Sequence, residues 1–161
     1  MVAEVDAAFA AVRAQHPDWQ QKSAACAEYY APDFDVLGRS APRTTFLTGV
    51  GLQLHPTLDE LAGKEYSAAL SAERLDLLGE LDLVHWCTDS GQLTKLKNER
   101  LVTRLDSTAA GRVIWSTGDN QDHLLWAMNF GTVLSSAYAI EHGVPLVASA
   151  LEGRDPDGQQ G

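Results

Sequence analysis

Leu81-Asp82-Leu83-Val84-His85-Trp86-Cys87, closed at once by Asp89-Ser90-Gly91, is the stretch that decides the fold. A short, mostly apolar run ending in turn formers reads as a buried strand. Two more runs of this kind lie on either side of it. One covers Lys22 to Tyr30, where Ser23-Ala24-Ala25-Cys26-Ala27 leads into Tyr29-Tyr30 and stops at Pro32; the other is Gly111-Arg112-Val113-Ile114-Trp115-Ser116. Helical segments separate the strands. That alternation predicts an α/β fold, a Rossmann-like three-layer lobe whose short, mostly parallel sheet is covered by helices on both faces.

The helices follow from period and punctuation. Val5, Phe9 and Val12 share one face of a helix over 3–15, which His16-Pro17 ends because a residue before proline is pushed out of the helical region. Arg43 to Val50 forms a short helix closed by Gly51. Thr57, with Glu60 three positions on, reads as the cap of a second short helix. Ser71 is the natural N-cap of a helix running to Leu78. Gln92 to Leu105 carries Leu93, Leu96, Leu101 and Leu105 on one side and breaks near Asn98. From His123 to Leu151 apolar residues are dense, and Gly143-Val144-Pro145 is expected to split them into at least two helices. Ala31 to Pro42 and Thr117 to Gln121 read as loops. Residues 1–152 form one compact domain on this reading, and 153–161 a frayed tail.

Lys plus Arg total 12 against 22 Asp plus Glu, a formal charge of −10. Nucleic-acid phosphate and anionic lipid surfaces would repel such a chain on average. No run approaches the roughly 20 apolar residues that span a bilayer, and the N-terminus lacks the basic-then-apolar order of a signal peptide. Cys26 and Cys87 have no metal-ligand spacing; buried thiols are the simpler reading, and a disulfide requires their strands to be neighbours.

No P-loop, dinucleotide GxGxxG, GxSxG elbow or HExxH occurs in the sequence, so no enzyme class gains support and no cofactor is implied. Asp119, Asp122 and His123 combine ligand types that suit iron, manganese or zinc, but an Asp capping the helix that follows explains them more simply. His16, His55, His85 and His142 show no ligand spacing. In an open parallel sheet, ligands meet the loops leaving the carboxyl ends of the strands, which directs attention to 29–40, 86–92 and 116–126.

The linear order of these segments resembles a known family. Arg43-Thr44-Thr45-Phe46-Leu47-Thr48-Gly49-Val50-Gly51, Leu70-Ser71-Ala72-Glu73-Arg74-Leu75, Leu81-Asp82-Leu83-Val84, Gly111-Arg112-Val113 and the closing Val133-Leu134-Ser135-Ser136-Ala137-Tyr138-Ala139-Ile140 through Val144-Pro145 look like the second lobe of class III periplasmic binding proteins. That family handles iron–siderophores, haem and cobalamin for ABC importers. The match covers residues 2–152 but half of the family's usual length.

The resemblance implies a C-terminal lobe whose N-terminal lobe and signal peptide lie upstream of Met1, in a periplasmic or lipid-anchored protein. It implies a ferric siderophore held between the lobes and an acidic residue on each lobe pairing with permease arginines, here Glu73. Aromatic side chains suit such a chelate because they offer apolar area with a polar tip, which singles out Tyr29, Tyr30, Trp86 and Trp126. Arg43 is the guanidinium placed to pair with an anionic complex. Tyr29 and Tyr30 should point to opposite faces of a strand, so one of them at most faces ligand. Direct binding of a bare metal ion, haem or cobalamin by the same fold, and a stand-alone α/β enzyme, are the competing readings.

Overall fold

The computed structural model describes residues 2–118, 123–130 and 132–154, without the side chain of His123. In chain order the elements are α1 (Val2–Gln15), β1 (Ser23–Tyr30), β2 (Asp33–Leu37), α2 (Pro42–Gly49), β3 (Gln53–Leu54), α3 (Pro56–Ala62), β4 (Ser67–Leu70) and α4 (Ala72–Leu75). They continue with β5 (Leu83–Thr88), α5 (Leu93–Asn98), α6 (Arg100–Thr103), α7 (Asp106–Ala109), β6 (Val113–Thr117), α8 (His123–Phe130) and α9 (Val133–Leu151).

The strands lie in the order β4-β2-β1-β5-β6, with β3 also paired to β1. β1 runs parallel to β3 and β5, and β5 parallel to β6, whereas β2 is antiparallel to both β1 and β4. The three strands read from sequence are thus the parallel centre. β5 is buried at every position, as a strand covered on both faces should be.

Alternation along the strands divides the core in two. Ala24, Cys26, Leu83 and Ile114 face Val12 of α1, Phe46 and Leu47 of α2, Met128 of α8, and Ala139 and Val147 of α9. On the opposite face, Ala25, Ala27, Val84, Trp86 and Val113 meet Leu58 of α3, Leu75 of α4, Leu96 of α5 and Val102 of α6. Alanines in β1 let helices approach closely on both sides, and each fully buried Leu or Val contributes about 1.5–3 kcal/mol.

Three expectations are corrected. The segment 31–42 is not all loop, because Asp33–Leu37 forms β2, pairing Phe34 with Tyr29 and Val36 with Ala27. Its Asp33 and Asp35 hid a strand whose other side carries the buried Phe34 and Val36. The cap of α3 is His55, not Thr57: the imidazole Nδ1 accepts the Thr57 N–H at 3.2 Å, with Pro56 in the first turn. Gly143-Val144-Pro145 does not interrupt α9, which carries Pro145 inside it. The helix keeps going because Gly143, Val147 and Ala150 are buried along it; the division from α8 falls instead before Thr132, which forms a capping box with Ser135. Gly143 serves packing, since a Cβ there would lie 2.8 Å from Phe46 Cζ. The preferred reading of the cysteines as buried thiols holds: β1 and β5 are neighbours, but Cys26 sits opposite His85 and Cys87 opposite Glu28, an offset of two residues, and neither is in a disulfide.

α4 ends at Leu75, short of the expected Leu78, and passes into a 3-10 helix over Asp76–Glu80, while other boundaries lie close to the sequence reading. Ser71 caps α4, accepting the Arg74 N–H at 3.3 Å. Gly51 has φ 113°, and the helical stretch after β5 breaks at Glu99. No helix among the described residues is long and apolar enough to cross a membrane.

Candidate functional site

The parallel strands β1, β5 and β6 end together at Tyr30, Thr88 and Thr117, and the loops leaving β1 and β5 form one rim with Gly118. Side chains and backbone tie that rim together. Thr88 Oγ1 donates to the Tyr29 carbonyl at 2.6 Å, Gly118 N–H donates to the Thr88 carbonyl at 2.8 Å, and Gln92 Oε1 accepts the Ala31 N–H at 2.9 Å. Gln92 also donates through Nε2 to Asp89 at 3.3 Å. The loops after β1 and β5 are therefore held in fixed relation to each other. Nothing in the sequence marks Gln92 for this task, because its partner is a backbone amide 61 residues away.

The side chains singled out from sequence divide by burial. Tyr29 is 1 % exposed and packs on Phe34 with ring centroids 4.9 Å apart; Trp86 is wholly buried, stacked on Trp115 at 6.4 Å and edge-on to Phe34 at 6.0 Å. Both rings belong to the core and are closed to a ligand. Tyr30 points to the other face and is 42 % exposed at the rim, as alternation along a strand requires. Burial, then the nearby Cys87, Glu28 and Asp89, push its phenol up to about 12, so it is a neutral hydrogen-bonding hydroxyl at physiological pH. Trp126 on α8 is 38 % exposed and stacks on Phe130, itself 64 % exposed, at 5.5 Å. Phe130 was not singled out from sequence, although its i, i+4 spacing from Trp126 was the available signal.

Arg43 opens α2 but does not reach solvent, its side chain being 3 % exposed and ion-paired through Nη2 to Glu28 of β1. Burial works against its charge, but Cys26, Cys87 and Glu28 raise its pKa on balance, so it is a fixed cation. Its correction is one of role: this guanidinium clamps the start of α2 to the end of β1 beneath Tyr30. Glu73 is exposed in the first turn of α4, and Asp119 and Asp122 lie outside the described residues, as does the His123 side chain.

Below the rim, His85 Nε2 stands 2.8 Å from Ser116 Oγ, and its Nδ1 4.0 Å from Cys26 Sγ. Burial, aided by the Arg43 charge, lowers the imidazole to about 3, while burial pushes the Cys26 thiol up to about 12 against the opposing pull of Arg43 and Thr44. A neutral ring beside a neutral thiol, both closed to solvent, is a core hydrogen-bond line and not an activated nucleophile. No group of three or more His, Cys, Asp or Glu able to hold a metal ion occurs among the described residues.

No family model matches the sequence, and no curated protein matches it. Solved structures do. The iron-uptake ABC-transporter substrate-binding protein PiaA of Streptococcus pneumoniae, in complex with ferrichrome, superposes with a TM-score of 0.75 at 21 % identity over 94 % of this chain and 52 % of its own. A periplasmic solute-binding protein of Mycobacterium smegmatis gives 0.74 at 25 % identity, covering 93 % and 49 %. The siderophore periplasmic binding protein of the fuscachelin gene cluster of Thermobifida fusca gives 0.72 at 16 %, covering 91 % and 52 %. The chain spans about half the length of these structures and has the fold of one lobe of an iron–siderophore type periplasmic binding protein, in keeping with the resemblance read from its motifs.

Proposed function

We propose that this chain is the C-terminal lobe of the substrate-binding component of an ABC importer and that its rim grips a ferric siderophore without transforming it. The observation that supports the reading is Tyr30, exposed at the carboxyl end of β1, together with the exposed stacked pair Trp126 and Phe130 on α8, the helix that follows β6 in the chain. These rings offer large apolar area and a phenolic hydroxyl at little entropic cost, which suits the organic shell of a chelate. The structural neighbours named for iron uptake or siderophore binding support the same ligand class.

On this reading Arg43 and Glu28 keep the rim in shape, and Tyr29 and Trp86 support it from the core. Glu73 is the carboxylate offered to a permease. Residues 1–152 are the lobe and 153–161 its tail, and the whole protein works outside the cytoplasm. The iron belongs to the cargo.

Titrating the full-length protein with a ferric siderophore while following tryptophan fluorescence tests the proposal. Saturable quenching that disappears in Trp126→Leu is expected, with far weaker binding by the isolated lobe. Equal affinity of lobe and whole protein would exclude a cleft shared between two lobes. A parallel panel with haem, cobalamin and bare ferric ion separates the competing ligand classes.

A further inference from the structure

The helices on the Tyr30 face of the sheet, α1, α2, α8 and α9, carry two arginines, Arg13 and Arg43, and no lysine. Neither is open to a ligand at the rim. Arg43 is buried against Glu28, and Arg13 donates through Nη1 to the Gly49 carbonyl at 2.6 Å. Gly49 closes α2, which leads into β3 beside Ser23 and Ala24, so Arg13 lies at the amino end of the sheet. α1 therefore starts at the rim end. Glu4 and Asp6 are exposed there, and Asp6 lines a cavity of about 580 Å³ with Ser40 and Pro42, just ahead of Arg43.

Around Tyr30 itself the charge is negative. Asp33 is exposed and stands directly opposite Tyr30 in the β1–β2 register, a placement that sets side-chain bases about 5 Å apart; it also borders the groove lined by Ala72 and Leu101. Asp89 follows β5, and the Gln92 amide joins it to Ala31, accepting the Ala31 N–H at 2.9 Å and donating to the Asp89 carboxylate at 3.3 Å. Burial first, then Cys87, Glu28 and Asp89 push up the Tyr30 phenol, so the Asp89 charge is felt at that hydroxyl. Neither Asp33 nor Asp89 forms an ion pair among the described residues. Lys95 and Lys97 belong to α5, which packs through Leu96 on the opposite face, where Lys97 lies over the Trp115 ring. Arg39 is drawn to Asp59 of α3. In sequence, 119–122 adds no Lys or Arg.

We propose that Asp89, with Asp33, determines specificity by charge: the rim accepts a neutral or cationic ferric chelate and rejects an anionic one. The inference rests on the reading of the rim as a siderophore site. An open guanidinium at Arg43 would give the opposite preference. Three singly charged hydroxamates balance a ferric ion, whereas three doubly charged catecholates leave a trianion that must bring its charge beside unpaired carboxylates. Like charges set together oppose binding even in water, and within a Debye length of about 8 Å salt screens them incompletely. Tyr30 and the Trp126–Phe130 stack act on the organic shell of either chelate, which leaves charge to separate them.

Isothermal titration of the full-length protein with ferrichrome, the cationic ferric complex of Desferal, and ferric enterobactin, a trianionic tris-catecholate, tests the proposal. Ferrichrome and ferric Desferal should each bind roughly tenfold or more tighter than ferric enterobactin, and the gap should shrink as salt is raised. The double variant Asp33→Asn, Asp89→Asn should tighten ferric enterobactin roughly tenfold relative to ferrichrome, the amide retaining an acceptor for Gln92. The matched pair Asp18→Asn, Asp106→Asn changes net charge equally at exposed positions that precede β1 and β6 at the amino end, and should leave the gap as it is; circular dichroism checks that both variants fold. Ferric enterobactin binding as tightly as ferrichrome, or a gap that Asp33→Asn, Asp89→Asn leaves unchanged, overturns the proposal. Failure of all three chelates to bind overturns the siderophore reading with it, so the two ideas fail by different results.

Discussion

His85 of β5 and Ser116 of β6 face each other across the parallel centre of the sheet, with Nε2 2.8 Å from Oγ, and the ring is held neutral by complete burial. An unfolded histidine titrates near 6.5, whereas this one is lowered to about 3. Between those values the unfolded chain binds a proton that the folded chain refuses. His85 therefore costs nothing above pH 6.5 and destabilises the fold as pH falls toward 3, by about 1.4 kcal/mol per unit. Urea unfolding from pH 7 to pH 4 should show that slope, and His85→Gln should flatten it while lowering stability at pH 7.

Arg43 is buried and Glu28 half-buried, and removing either leaves the other without its charge partner. Arg43→Met should cost about 3–5 kcal/mol, and Glu28→Gln a comparable amount by stranding the guanidinium. The double variant Arg43→Met, Glu28→Leu should recover much of the loss, which a double-mutant cycle measured by denaturant unfolding reads directly.

Gly38 approaches the neighbouring loop so closely that a Cβ would stand 2.2 Å from the Glu65 carbonyl oxygen. Its own N–H donates to the Tyr66 carbonyl at 2.7 Å, which ties the approach to α2 to the start of β4. Gly38→Ala should destabilise by about 1–3 kcal/mol through this backbone clash. Gly91→Ala, where a Cβ meets nothing within 4 Å, is the control and should stay within about 0.5 kcal/mol of the parent in thermal unfolding.

The aromatic pair on α8 should separate binding from stability. Trp126→Ala and Phe130→Ala in the full-length protein should each weaken ferric siderophore affinity by about tenfold, or about 1.4 kcal/mol, while moving the unfolding midpoint little because both rings are substantially exposed. Trp86→Ala should do the reverse in kind: a loss of about 3–5 kcal/mol of stability from its cavity. Isothermal titration alongside melting curves distinguishes the two patterns.

Glu73→Ala should leave chelate affinity intact and slow uptake in cells, because an exposed first-turn carboxylate adds only about 0.3–1 kcal/mol to its helix. Uptake at the parental rate would remove Glu73 from docking.

The central strands, the covered sheet, the Ser71 cap and the break near Asn98 were legible because each rests on local chemistry, whether an apolar run, a capping hydroxyl or a turn former. β2 was not, since its polar alternate positions look like a loop until Phe34 and Val36 find Tyr29 and Ala27 to pack against. Gly143 and Pro145 read as a break because intrinsic propensity counts the missing N–H but not the burial of Val147 and Ala150. Sequence named candidate aromatics but could not sort the buried Tyr29 and Trp86 from the exposed Tyr30 and Trp126.

Taken alone, the residues determined the three parallel central strands and the main helices, and which end of the sheet holds the loops of interest, because period, punctuation and strand–helix order are properties of neighbouring residues. Burial had to be decided in three dimensions. Tyr29 and Tyr30 differ by one position, yet one is sealed against Phe34 and the other stands at the rim; Arg43 became a clamp only because Glu28 of another element lies under it. Those outcomes depend on which face of the sheet each side chain meets and what the rest of the chain packs there.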